Sequence, residues 1–147
     1  MQTFLPYESY LECAQVLDNA RLGKQRVECL QIMKAIAGCY DSTGAWKNHP
    51  AVKMWRDYPL SLLTYSRIIC IEWRRRGFKD TCENKMLDIY NRYLEDKQGF
   101  YVFPPFLGDE RLHLSHRSNL LRKDEKHYRQ YFGEDCPNNL NYYWPVT

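Results

Sequence analysis

The sequence predicts an all-α fold: a compact single-domain bundle of about six or seven helices over residues 1–147, crossed by one aromatic and proline-rich loop. Two observations carry this. Apolar residues recur at helical spacing along several stretches, and those stretches are bracketed by capping residues, first-turn prolines or terminal glycines. The length of 147 residues also suits one domain with a buried core.

Ser9 caps a first short helix that runs to about Asp18. A second spans Asn19 to Ala37 and stops at Gly38, which can take the left-handed conformation. Within it Leu22, Cys29, Met33 and Ile36, with Leu30 and Ala37 beside them, form a core-facing stripe. Arg21, Lys24, Gln25, Glu28 and Gln31 form the opposite one. Residues 40–48 make a turn-rich loop. Pro50 stands where a first helical turn accepts proline, with Asn48 or His49 near the cap, and opens a third helix ending near Asp57. Pro59 opens a fourth, through Leu62, Tyr65, Ile69 and Trp73 to Gly77, and Thr81 begins a fifth that reaches about Asp96. Residues 98–108 cannot be helical throughout, because Pro104 and Pro105 remove donors and push the residue before each into extended geometry. Asp109 caps a sixth helix to about Lys123, and Asp124 to Phe132 makes one more. The tail from Pro137 is extended and pinned by Tyr142, Tyr143 and Trp144.

Apolar residues make up 44% and charged residues 27%, which excludes disordered and fibrous classes. The N-terminus lacks a basic stretch followed by an apolar one, and no apolar run approaches the roughly 20 residues that span a bilayer, so a cytoplasmic protein is expected. Six cysteines without a Cys-x-x-Cys pair argue for reduced, mostly buried thiols and against a zinc ribbon. The net charge of +3 says little by itself; its distribution says more. Basic residues gather at Arg21/Lys24/Arg26, Arg74–Arg76 and Arg117/Arg122/Lys123, among twelve tyrosines and four tryptophans. That mixture suits a surface that tracks phosphates and stacks bases, and equally suits solvated helix faces and helix C-termini.

Three constellations can carry chemistry. Arg21, Lys24, Glu28 and Gln31 are three, four and three residues apart, which sets two cations, a carboxylate and an amide on one side of the second helix. The same spacing describes an ordinary solvent face with a Lys24–Glu28 pair worth a few tenths of a kcal/mol. His113, His116 and Arg117 share a face of the sixth helix, continued by Asn119, Arg122 and Lys123, where arginine can hold a phosphate and a neutral imidazole can act as donor or base. No Cys, Asp or Glu completes a ligand set around the two histidines, so no metal or other cofactor is expected. Asn48 and His49 precede the third helix, whose free N–H groups suit an anion.

The stretch Leu17-Asp-Asn-Ala-Arg-Leu-Gly-Lys-Gln-Arg-Val-Glu28, with Asn48-His-Pro, Arg76-Gly-Phe-Lys-Asp-Thr81 and the Tyr128–Gly133 segment, resembles the phage-type pyrimidine-dimer DNA glycosylases. The resemblance is spread over most of the chain. It implies a helical domain that binds ultraviolet-damaged duplex DNA, flips a base and breaks the glycosidic bond with its N-terminal α-amine, assisted by a glutamate on an early helix. By this resemblance Glu28 is that glutamate, and Arg21, Lys24, Gln25 and Arg26 belong to the DNA-facing side. An α-amine titrates at about 7.7 to 8.0, so a useful fraction is neutral and nucleophilic at physiological pH. A Schiff base at C1′ then permits strand cleavage by β-elimination. In the family the nucleophile is exposed by removal of the initiator before a small residue; here residue 2 is Gln2, too large for that, so the amine would belong to Met1, and either Met1 itself reaches the sugar or this branch has lost the lyase chemistry and kept a nucleotide-binding site.

The candidate set is therefore Glu28, Met1 and His116 for catalysis, and Arg21, Lys24, Gln25, Arg26, Asn48, His49, Arg117, Asn119 and Arg122 for DNA or phosphate. Two other functions fit the same residues. One is a module that sequesters a nucleotide or small phosphorylated ligand without chemistry; the other is a phosphodiester or nucleotide hydrolase with histidine acid/base catalysis.

Overall fold

In the computed structural model, which describes residues 1–39, 45–97 and 102–146, seven α-helices follow one another and no strand is present among the described residues. Helix α1 is Tyr10–Val16, α2 Asn19–Ala37, α3 Pro50–Trp55, α4 Pro59–Arg75, α5 Cys82–Ile89, α6 Glu110–Lys123 and α7 Glu125–Phe132. The all-α prediction holds. Ends agree to within two residues except at α5, where the chain continues through a wider π turn, Tyr90–Leu94, and a 3-10 turn, Glu95–Lys97. Of the two expected loops, residues 40–44 and 98–101 lie outside the described residues; 45–48 form a 3-10 turn and 102–108 are non-helical.

The local reasons for these elements are those read from the chain. Ser9 Oγ accepts the Glu12 N–H at 3.2 Å to start α1, and Asp109 accepts the Arg111 N–H to start α6. Gly38 ends α2 at φ 74°, where a side chain would be strained. Leu22, Cys29 and Met33 are fully buried and Ile36 packs on the core edge, so the predicted stripe faces inward. Helix α2 packs on α4 and α5, α1 on α4, and α6 on α7.

Gly23 has a packing reason. A Cβ there would stand 2.8 Å from Cη2 of Trp73, so its absence lets the indole lie against α2. Phe78 stacks on that indole at 4.1 Å, and the Arg26 guanidinium lies 4.5 Å over it. The Arg74–Arg76 run, which suited a phosphate surface, is engaged in ion pairs and caps. Arg75 and Arg76 both pair with Glu72, and these hydrogen bonds, Arg75 first, hold its carboxyl below the usual range against burial. Arg76 also donates to the Ala14, Gln15 and Leu17 carbonyls, closing the end of α1.

At the centre, Trp55 stacks on Tyr65 at 6.0 Å, with Tyr10 edge-on to Tyr65 and Phe106 edge-on to Trp55. The polar tips of this cluster serve the N-terminal segment. Trp55 Nε1–H donates to Thr3 Oγ1 at 2.9 Å, and Tyr65 O–H donates to the Phe4 carbonyl at 2.7 Å. Gln2 to Leu5 are thereby buried as non-helical chain between α2 and α6.

Candidate functional site

The buried N-terminal segment determines where the site lies. Gln25 Nε2 donates to the Gln2 carbonyl at 2.7 Å, and its Oε1 accepts the Phe4 N–H at 2.9 Å. On the other side His116 Nδ1 accepts the Leu5 N–H at 2.8 Å. His113 Nε2 accepts the Gly108 N–H at 2.9 Å, which leaves its Nδ1 protonated and donating to the Leu5 carbonyl at 2.8 Å. Arg117 Nη1 donates to the Pro6 carbonyl at 2.7 Å. Side chains thus hold the N–H groups of Thr3, Phe4 and Leu5 and the carbonyls of Gln2, Phe4, Leu5 and Pro6, and Met1 stands at the end of this anchored segment.

Met1 lines a cleft of about 480 Å³ together with Gln2, Phe4, Arg21, Lys24, Glu28, Lys123 and Tyr142. Glu28 is mostly buried, its side chain 12% exposed, with the exposed Lys24 Nζ 3.8 Å from its carboxylate. Arg21 is held by Asp18 at 3.1 Å, and Asp18 in turn accepts from the Tyr128 hydroxyl of α7. Burial alone raises the Asp18 carboxyl, but the hydrogen bonds from Tyr128 and Arg21 outweigh it and the net shift is downward. The second Arg21 nitrogen reaches the Lys123 carbonyl, which ties α2 to the end of α6. Burial pushes the Tyr142 phenol up; Arg122 opposes this and the Glu28 carboxylate adds to it, so Tyr142 is a protonated hydroxyl on the wall of the same cleft. His49 is lowered first by burial and then by the positive N-terminus, and its ring meets Trp46 and Trp144 at 5.9 and 5.8 Å.

The structure thus brings together Met1, Glu28, Arg21 and Lys24, with His49 nearby. Other expected site residues go elsewhere. Gln25, expected to face DNA, is 1% exposed and is the clamp on Gln2 and Phe4. Arg26 is paired with Asp80 at 2.6 Å and stacked on Trp73. His116, expected to be catalytic, has no exposed surface, and burial holds it at about 3, so it is a neutral acceptor for Leu5. Arg117 and Arg122 are committed to backbone carbonyls, Arg122 to those of Asn138 and Leu140, and Asn119 is buried between Ser115 and Leu140. Asn48 is exposed at the end of its turn, and His49 Nδ1 already accepts the Ala51 N–H that an anion would need. Lys123 and Tyr142 were not expected at this site. Each has only a faint signal in the chain: Lys123 ends a basic run, and Tyr142 belongs to an aromatic tail.

A wider cleft of about 580 Å³ runs between α3 and the tail, past Lys53, Arg56, Asp57 and Tyr143, but it holds neither the amine nor Glu28. Among the described residues no three His, Cys, Asp or Glu side chains gather as a metal site, and no helix is long and apolar enough to cross a membrane.

Comparison with protein families puts the chain in a class of DNA-repair glycosylases. Residues 1–86 match the model for pyrimidine dimer DNA glycosylase, and with more than half of the 147 residues matched, the chain belongs to that family. No characterised protein and no solved structure shows a significant match. The matched region ends within α5, so Lys123 and Tyr142 reach the cleft from beyond it.

The His116 contact sets a pH dependence of stability. An unfolded imidazole titrates at about 6.5, whereas folded His116 takes a proton only at about 3. Between those values the unfolded chain binds the extra proton. Stability is therefore full above pH ~6.5 and lost as pH falls, by up to about 1.4 kcal/mol per pH unit. Urea unfolding from pH 7 to 4.5 measures this slope. His116→Asn, whose Oδ1 can replace Nδ1 as acceptor, is expected to flatten it; equal slopes in both proteins would reject the assignment.

Proposed function

We propose that this chain is a DNA glycosylase with an associated strand-cleaving lyase activity, acting on pyrimidine dimers in duplex DNA, with the Met1 α-amine as nucleophile and Glu28 as the assisting carboxylate. The observation that carries this is the meeting of Met1 and Glu28 in one cleft rimmed by Arg21, Lys24 and Lys123. The amine nitrogen forms a bond to C1′ as the C1′–N1 bond breaks and its electron pair leaves with the base. Glu28 accepts a proton from the nitrogen and stabilises the positive charge that develops at the sugar. Ring opening gives an imine. Removal of a 2′ proton then expels the 3′ phosphate, and water releases the enzyme from the sugar fragment. The three cations suit the phosphates on either side, and each such contact releases condensed counterions, so binding weakens as salt rises.

The histidine-based hydrolase reading loses its basis, because His113 and His116 are both buried and bonded to the backbone at Leu5. The test of the proposal is intact mass after borohydride treatment with damaged and with undamaged duplex. A covalent adduct with the damaged duplex is expected, since borohydride reduces the imine to a stable amine. Absence of any adduct, together with tight binding of a free nucleotide, would make the chain a nucleotide-sequestering module instead.

A further inference from the structure

Gln2 carries a hydrogen-bond donor that the fold leaves without a partner. Its side chain is buried, the residue being 5% exposed, and it lines the cleft beside Met1. Oε1 accepts the Thr3 N–H at 2.9 Å, which decides the amide's orientation, since the reverse would oppose two N–H groups. Nε2 then holds both amide protons, and among the described residues it meets no acceptor. Its own backbone is locked, because the Gln2 carbonyl accepts from Gln25 at 2.7 Å. A buried donor left open beside so many satisfied backbone groups calls for a functional explanation.

The chemistry of the cleft narrows what the acceptor is. Phosphate oxygens are matched by Arg21, Lys24 and Lys123, which are charged. A neutral amide suits a neutral carbonyl. In a pyrimidine nucleotide, O2 is the carbonyl adjacent to the C1′–N1 bond, hence next to the atom that the neighbouring amine attacks.

We propose that Gln2 Nε2 donates a hydrogen bond to O2 of the pyrimidine whose glycosidic bond is broken, and so stabilises the departing base. This contact rests on the reading of Met1 as nucleophile. As the nitrogen–C1′ bond forms, the electron pair of the C1′–N1 bond passes to the base and its charge is shared with O2. The amine nitrogen gives up a proton to Glu28, and the base takes one from solvent. A donor at O2 strengthens as that charge grows, so the contact favours the transition state over the bound substrate. Nε2 is buried in the free protein, so the proposed contact includes an opening of the Gln2 amide toward the cleft as substrate enters.

The test uses two full-length variants. Gln2→Glu keeps the acceptor for Thr3 and has no donor; Gln2→Met keeps the length and has neither. Both residues are large enough for the initiator to stay. Two rates are measured on duplex DNA: glycosidic cleavage at a dimer, scored as alkali-revealed breaks, and strand cleavage at a preformed abasic site, from which no base leaves. The ratio of the first rate to the second is expected to fall on the order of 100-fold in both variants. General loss of fold or affinity moves both rates together, so an unchanged ratio overturns the contact. A wild type inactive on both substrates overturns the Met1 reading itself, which is a distinct result.

Discussion

Glu28→Gln is expected to lower turnover on both dimer-containing and abasic duplexes by on the order of 100-fold or more while leaving fold and DNA affinity in place. The amide is nearly isosteric, so the packing of a side chain only 12% exposed is kept. Its partner Lys24 is 75% exposed and 3.8 Å away, and such a half-solvated pair contributes little to stability. The amide lacks both properties that the mechanism uses: it bears no charge to offset a developing cation, and it takes no proton from the amine. Cleavage rates of wild type and variant, with melting temperature and DNA affinity measured alongside, decide the matter. Full activity in the variant rejects the catalytic role, and a large drop in melting temperature assigns Glu28 to the fold instead.

Blocking the N-terminus is expected to have an effect as large. An acetylated α-amine has no available lone pair, and a residue added before Met1 moves the amine by up to about 3.8 Å. The segment behind it cannot draw back to compensate. Gln25 holds Gln2 and Phe4, Trp55 holds Thr3, and the histidines of α6 hold Leu5. Displacement of a reacting group by even about 1 Å can cost on the order of 100-fold, so the extended protein should form no borohydride adduct and cleave neither substrate. Its affinity for DNA should persist, because Arg21, Lys24 and Lys123 are untouched. Equal adduct yield from a carboxy-terminally tagged protein and one bearing a residue before Met1 would exclude the amine as nucleophile.

Much of the fold was legible because its signals are local. Ser9, Asp109, Pro50, Pro59 and Gly38 announce helix ends through their own backbone and side-chain chemistry, and all five stand where expected. The chain also shows that Arg21, Lys24 and Glu28 share one side of α2. Gln25 was misplaced although its position carries a clue: it lies three residues after Leu22 and four before Cys29, inside the apolar period, and polarity alone suggested the outer face. The His113/His116/Arg117 row was recognised as special, but not for what it does.

What the sequence by itself determined is the helical alphabet of the protein and the charged stripe of α2, since both follow from spacing within about four residues. The tertiary structure alone decided which polar groups are working surface and which are internal fasteners. Side chains from α2, α3, α4 and α6 converge on five residues at the N-terminus, over separations of 21 to 111 positions. No period within the chain encodes such a meeting. A buried non-helical segment must have its N–H and C=O groups satisfied from outside itself, and whichever glutamine, histidine or arginine packing brings beside it becomes its partner. Those partners are thereby engaged within the fold, while Met1, Glu28, the Gln2 side chain and the cations at the rim line the cleft.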